Sequence, residues 1–154
     1  MFYSKNYFFR RYTLEDIPLL VALYENWNWE NVDDIFVENL LKNTIFQQYE
    51  VHNVGLYAVF SKENEQYVGH CGVKFQREEW HLSFRFLKPF WKNDAPVEVI
   101  KACTEHDFKR LKINEIVIDL DFKSKGAAKV LKKAGFKHRI FFSENEERYS
   151  IFLK

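Results

Sequence analysis

One segment of the chain places a strand-like run, a short loop and a long amphipathic helix in direct succession. The run covers residues 80–87, the loop covers residues 92–96, and the helix begins near Val97. A helix N-terminus carries unpaired N–H groups and a partial positive charge, so it binds phosphate without special side chains. The segment therefore predicts an anion site made by the backbone.

Strands and helices that would position this segment can be read along the whole chain. In order they are strand 7–12, a helix opened by the start signature 13–16, helix 32–42, strands 55–61, 66–76 and 80–87, a helix from 97, strand 115–120, helix 124–134, and a hairpin of strands 136–142 and 148–153. Gly69 and Gly72 inside one strand indicate a bulge or a close backbone approach. The helix between strands 80–87 and 115–120 is typical of a crossover that pairs two strands in parallel.

The order of elements and one local pattern resemble a known family. Leu131, Gly135 and Phe136 match the last positions of Asn-x-x-Ser-x-x-x-Leu-x-x-x-Gly-Phe. With the element order, this resembles the GNAT acyltransferases, in particular the branch acting on ribosomal proteins and small molecules. The resemblance implies one α+β domain over residues 1–154, a mixed α/β fold with a central, mostly antiparallel sheet, one parallel pair and about four helices.

The same resemblance implies acetyl-CoA as cofactor, with its pyrophosphate in the loop. The family pattern Arg/Gln-x-x-Gly-x-Gly/Ala falls on Lys92, Asn93, Asp94, Ala95, Pro96 and Val97. The loop has no glycine, Asp94 repels an anion, and Pro96 lacks an N–H. Ser124 stands at the Asn position of the second pattern, where it either bonds the cofactor or caps the helix. Ala127, at the Ser position, has no hydrogen-bonding side chain.

The family mechanism gives expected roles to residues near the end of strand 80–87. Backbone N–H groups of Phe86 and Leu87 are expected to polarise the thioester, so that an amine attacks directly in a ternary complex. The tyrosine that many relatives use as general acid would fall at Leu131. A base used by relatives corresponds to His81, with water as an alternative and an exposed strand histidine as the structural interpretation. His70 is expected near His81 across the sheet.

The segment after the first helix covers the acceptor in this family. Here it contains Trp27, Trp29 and Glu30, and an aromatic pair with a carboxylate suits a cationic amine. Ordinary rim or core tryptophans are the alternative. The acceptor is thus expected to be a small-molecule or protein amine, and a homodimer is left open.

Composition limits the other classes of function. The net charge of +1 argues against a dedicated nucleic-acid binder. Cys71 and Cys103 have no disulfide or zinc spacing, so no metal site and a reducing compartment are expected. No signal peptide or membrane span is apparent, which predicts a cytoplasmic protein.

A basic cluster near the C-terminus is expected to hold the cofactor 3′-phosphate, meet RNA or an acidic partner, or form a solvated helix face. Its members are Lys123, Lys125, Lys129, Lys132, Lys133, Lys137, His138 and Arg139. Two hypotheses therefore remain for the chain: an acyl-CoA-dependent N-acetyltransferase, or a non-catalytic GNAT-like binding module with a decayed cofactor site.

Overall fold

In the computed structural model, which describes residues 1–121, 124–141 and 145–153, eight strands form one sheet. The strands are β1 (Phe2–Tyr3), β2 (Tyr7–Arg11), β3 (Gly55–Ser61), β4 (Tyr67–Gln76), β5 (Glu79–Phe86), β6 (Glu115–Asp121), β7 (Lys137–Phe141) and β8 (Glu146–Phe152). Their order across the sheet is β1-β2-β3-β4-β5-β6-β8-β7. The predicted mixed α/β fold and its meander β3-β4-β5 are confirmed.

Helical segments cover both faces of this sheet. They are α1 (Ile17–Asn26), α2 (Asp34–Leu40), α3 (Phe46–His52), α4 (Lys88–Trp91), α5 (Ala95–Arg110) and α6 (Lys125–Lys133). A π-helical turn, Leu41–Ile45, joins α2 to α3 without a break. The predicted end of the second helix at residue 42 is therefore wrong, since helical backbone continues to His52.

The crossover prediction is confirmed, because β5 and β6 are parallel. His81 opposite Val117 is their one paired position in the described chain. The other neighbouring strands pair antiparallel over longer registers. Beyond that position, β5 and β6 share no further pairing in the described part of the chain.

Two hydrophobic cores lie on opposite faces of the sheet. Helices α5 and α6 cover one face, where Phe86, Ile100 and Leu131 are fully buried. Helices α1 to α3 cover the other face, around Leu23 and Leu41. Burying side chains of this size stabilises the fold by about 1.5–3 kcal/mol each. The cores fix both helical layers against the sheet between them.

Two glycines have defined backbone reasons. A Cβ on Gly72 would lie 2.1 Å from the carbonyl oxygen of Gly55, so β3 and β4 approach too closely for any side chain there. Gly135 has φ +102° and ends α6, while the N–H of Phe136 donates to the carbonyl of Leu131 (2.9 Å). Both positions confirm the sequence interpretation of close approach and of a helix end.

The described residues contain no helix that is long and apolar enough to cross a bilayer. Cys71 and Cys103 are both buried and unbridged. The Sγ of Cys103 donates to the carbonyl of Cys71 (3.5 Å) across the α5–β4 interface. Burial raises the pKa of the Cys103 thiol, which therefore stays protonated as a core side chain.

Candidate functional site

The gap between β5 and β6 beyond the His81–Val117 pair, called the fork below, exposes one edge of β5. The N–H of Leu87 donates to the carbonyl of Val68 (2.9 Å), so the backbone of Leu87 faces β4. Backbone groups alternate along a strand, so Phe84 and Phe86 direct theirs into the fork. The expectation that the Leu87 N–H faces a thioester is therefore wrong, whereas the Phe86 N–H lies on the required side.

Aromatic rings cluster around the end of β5. The ring of Trp91 lies 6.0 Å from that of Phe84, 5.7 Å from that of Phe86 and 6.3 Å from that of Trp27. Trp27 Nε1 donates to the carbonyl of Phe86 (2.7 Å), while Trp91 Nε1 is buried and has no partner within the described chain. Part of the strand edge is thus already satisfied by the protein itself.

The loop before α5 offers few free backbone donors. Asn93 Oδ1 accepts from the N–H of Ala95 (2.9 Å), and Pro96 has no N–H. The N–H of Glu98 donates to the carbonyl of Asp94 (3.1 Å) as part of the helix. In the first turn, Val97 is left as the donor that an anion would meet. Lys92, exposed beside it, adds a positive charge.

Two carboxylates stand at the same helix start. Asp94 is exposed, and Glu98 accepts hydrogen bonds from Ser4 Oγ (2.5 Å) and from Asn6 Nδ2 (2.7 Å). Burial favours the neutral form of Glu98, but these hydrogen bonds outweigh it and lower its pKa. The charged Glu98 fastens the N-terminal segment to α5 and reduces the positive potential of the helix end.

Helix α6 brings a second N-terminus to the same edge, because α5 and α6 both follow the carboxyl ends of the parallel strands. Ser124 precedes α6, and its side chain makes no capping hydrogen bond. Leu131 is fully buried, so the position of the family tyrosine is a core position here. Lys123 and the side chain of Lys125 lie outside the described residues. The cluster's other members are exposed: Lys129, Lys132, Lys133, Lys137, His138 and Arg139.

His81 is not the exposed strand histidine of the structural interpretation, since its side chain is 12% exposed. Its Nε2 lies 3.8 Å from Glu79 Oε1 and has no hydrogen-bond partner among the described residues. Burial lowers the pKa of His81, opposed by the nearby Glu79 carboxylate, so the imidazole is neutral. Lys74 stands opposite His81, and His70 stands opposite Arg85, so the expected His70–His81 neighbourhood is wrong.

Trp27 and Trp29 each contact a different cationic side chain of the protein. Lys88 Nζ lies 5.2 Å from the centre of the Trp27 ring, and the Arg85 guanidinium lies 5.1 Å from that of Trp29. Each ring therefore already has a cation from the protein, while Glu30 is exposed beyond them. The expected binding of a cationic amine by this segment stays a prediction.

Sequence reasoning missed a cavity of about 160 Å³ between α1–α3 and the sheet. It is lined by Tyr24, Leu40, Thr44, Ile45, Gln48, Gly55, Leu56, His70, Lys74, Ser83, Phe84 and Arg85. The polar alternation of His81, Ser83 and Arg85 along β5 was the available signal, because that face of the strand is covered by helices. Phe84 belongs both to this lining and to the fork.

The polar end of the cavity is built around His70 and Arg85. His70 Nδ1 shares a hydrogen bond with the Tyr12 hydroxyl (2.9 Å), which also bonds the Tyr67 hydroxyl (2.5 Å). Burial, helped by the charge of Arg85, lowers the pKa of His70 to about 3, so this ring is neutral. In the described part of the chain, no group of three or more His, Cys, Asp or Glu residues is placed to hold a metal ion.

Comparisons with known proteins agree with this architecture. The family model "Acetyltransferase (GNAT) domain" matches residues 7–137. None of the curated proteins matches the sequence. A solved acetyltransferase from Agrobacterium tumefaciens is similar to this chain with a TM-score of 0.82 at 12% identity, covering 99% of this chain and 94% of that chain.

Two further solved structures carry named activities. Spermidine N-acetyltransferase from Vibrio cholerae, in complex with CoA and spermine, has a TM-score of 0.77 at 13% identity, with 95% of each chain covered. An acetyl transferase from Salmonella typhimurium, which modifies the N-terminal serine of a ribosomal protein, has a TM-score of 0.81 at 12% identity, with 98% of this chain and 97% of that chain covered. At these identities the likeness establishes the fold.

Proposed function

The chain belongs to the GNAT acetyltransferase family, and on that premise we propose that it transfers an acyl group from acetyl-CoA directly to an amine in a ternary complex. The observation that carries the proposal is the fork. A single parallel register position at His81 and Val117 leaves a strand edge open beside two helix N-termini. An extended chain ending in phosphates fits such an edge, because strand backbone bonds the chain and helix ends attract the phosphates.

The described residues fit the cofactor with a reduced set of donors. The Phe86 N–H would bond the extended arm, and the Val97 N–H, the Lys92 ammonium and the Ser124 hydroxyl would hold the phosphates. When bound, acetyl-CoA supplies the acyl group as an activated thioester. An amine reaching the fork needs to lose a proton. His81 is neutral and its Nε2 has no hydrogen-bond partner among the described residues, so it is the group that takes this proton, directly or through water.

The test begins with cofactor binding. Heating the protein with acetyl-CoA at one hundred times its Kd is expected to add about 2.7 kcal/mol to the free energy of unfolding. Calorimetry then gives the Kd, and release of free CoA with a panel of amines measures turnover. Absence of any stabilisation at millimolar acetyl-CoA would contradict the proposal.

The role of His81 requires a matched comparison. His81→Gln is expected to lower kcat at least tenfold while leaving the Kd for acetyl-CoA unchanged. His52→Gln, at a ring that packs tilted against Phe75, is the control and is expected to keep full turnover. An unchanged kcat in His81→Gln would assign proton removal to water.

A second candidate function is a binding module without catalysis. The observations that favour it are the occupied Ala95 N–H, the Asp94 carboxylate and the Trp91 ring at the end of β5. Stabilisation by acetyl-CoA without turnover on any amine would support this candidate over the enzyme.

A further inference from the structure

Arg85 lines the cavity on the α1–α3 face, and its guanidinium has no hydrogen-bond partner among the described residues. Its guanidinium lies 5.2 Å from the centre of the Tyr24 ring and 5.1 Å from that of Trp29. Both contacts involve ring faces, and Arg85 has no carboxylate partner among the described residues. A planar guanidinium held by rings keeps its N–H edge in a fixed direction, which suits bidentate binding of a carboxylate.

The rest of the lining favours an anion in the same way. Lys74 stands at the far end of the cavity and is also without a carboxylate partner in the described chain. No acidic residue is among the twelve that line the cavity. His70 is neutral, so it adds no charge but offers a polar ring beside Arg85. A cationic group inside this space would be repelled from both ends.

The size and position of the cavity limit which molecule can carry the anionic group. By the measure in which one water needs 10–15 Å³, a cavity of about 160 Å³ holds roughly ten water-sized groups. Leu40, Ile45 and Leu56 add apolar surface to its lining. Ser83 and Phe84 connect it to β5, and Phe84 also borders the fork.

We propose that this cavity binds the carboxylate of a small amino-acid-like acceptor, with Arg85 as the anchoring residue and Lys74 as a second positive charge. Only the role of this ligand as an acyl acceptor rests on the proposed acyl transfer. Binding of the carboxylate itself requires no cofactor. The substrate is then an amine that carries a carboxylate, and not a polyamine.

The experiment measures binding without acetyl-CoA, so that its failure is distinct from failure of the proposed function. Pools of the L-amino acids and of their primary amides are titrated into the protein, and heat or NMR shifts are followed. At least one acid is expected to bind, and its amide is expected to bind at least tenfold more weakly. Equal binding of acid and amide, or no binding by any pool, would overturn the proposal.

Variants then test the anchor. Arg85→Gln is expected to weaken binding of the acid at least tenfold, and Arg85→Lys is expected to fall between it and the unchanged protein. Lys112→Gln removes an exposed positive charge elsewhere and is expected to leave the Kd unaltered. An Arg85→Gln protein that still prefers the acid over the amide would remove the assigned role, since a residue that only fastens α1 to the sheet would not set this preference.

A final titration distinguishes a carboxylate ligand from a phosphate ligand. O-Phosphoethanolamine and inorganic phosphate are titrated in the same way, with thermal melts confirming that each variant is folded. Phosphate binding tighter than that of any carboxylate would replace the carboxylate assignment.

Discussion

The fork and the cavity both border β5, but they differ in whether their polar groups have partners within the protein. At the fork, the protein satisfies its own donors and acceptors. Asn93 Oδ1 accepts from the N–H of Ala95, and Trp27 Nε1 donates to the carbonyl of Phe86. In the cavity, Arg85 and Lys74 keep their charges without carboxylate partners in the described chain. Unpaired charge that is partly buried costs free energy, so it points to a ligand more strongly than satisfied groups do.

The fork follows from the sheet topology, because β5 and β6 pair at a single parallel position in the described chain. The cavity depends instead on the side chains that line it, Arg85 and Lys74 among them.

The largest effect is expected at the shared wall of β3 and β4. Gly72→Ala places a Cβ 2.1 Å from the Gly55 carbonyl oxygen, which neither strand can relieve, so we expect a loss of about 3 kcal/mol in unfolding free energy. Gly126→Ala in α6 meets nothing within 4 Å and is expected to stabilise by up to about 1 kcal/mol. Urea unfolding measures both, and similar losses at the two sites would contradict the rigid cavity wall.

Protonation at the cavity gives the next effect. Because the folded pKa of His70 is about 3 and its ordinary value is 6.5, the unfolded chain takes up a proton that the folded protein refuses. Stability should therefore fall as pH drops below 6.5, by about 1.4 kcal/mol per pH unit from this residue. In His70→Asn the slope between about pH 5.5 and 4 should be smaller by about that amount, because there the unfolded histidine is mostly protonated and the folded one is mostly neutral. His81 and His106, whose pKa values are also lowered, keep their contribution in both proteins.

Two tryptophans at the fork provide a matched pair. Trp27→Phe loses the hydrogen bond to the Phe86 carbonyl and should cost about 1 kcal/mol more than Trp91→Phe, which loses only an unpaired N–H. Chemical unfolding of both variants gives the difference. If Trp91→Phe were the more costly, Nε1 of Trp91 would have a hydrogen-bond partner outside the described residues.

The smallest effect concerns the loop. Asn93→Ala frees the Ala95 N–H, and Asp94→Asn removes a repelling carboxylate. Each is expected to tighten acetyl-CoA binding severalfold, corresponding to about 1 kcal/mol or less. Calorimetry provides the Kd, with Glu78→Gln in an exposed turn as control. Weaker binding in Asn93→Ala would mean that the Asn93 side chain itself contacts the cofactor.

Periodicity and turn chemistry were sufficient for much of the fold. Strand β3 spans the predicted residues 55–61, and the start signature before α1 is present, with Asp16 accepting from the N–H of Thr13 (2.8 Å). The parallel crossover followed from the order strand, helix, strand. These features depend on local residues, which a sequence displays directly.

The site was harder to predict because its contacts are set by backbone turns between elements. Trp27 and Trp29 are close in sequence, yet Asn28 has φ 61° and turns the chain, which separates the two rings. The Arg85 guanidinium packs beside both Tyr24 and Trp29, whose ring centres lie 4.9 Å apart, a neighbourhood that only tertiary packing creates. Likewise, whether a loop N–H is free depends on a nearby side chain such as Asn93.

The π-helical turn Leu41–Ile45 has a consequence for the angular phase of the helix that follows it. Each residue of an α-helix advances the side chains by about 100°. Deleting one residue from the turn would thus rotate α3 by that angle. Gln48, whose amide bonds both the N–H (2.9 Å) and the carbonyl (3.0 Å) of Phe75, would swing off the edge of β4. The length of this turn therefore sets the rotation of α3 about its axis, which keeps one wall of the cavity aligned with the sheet.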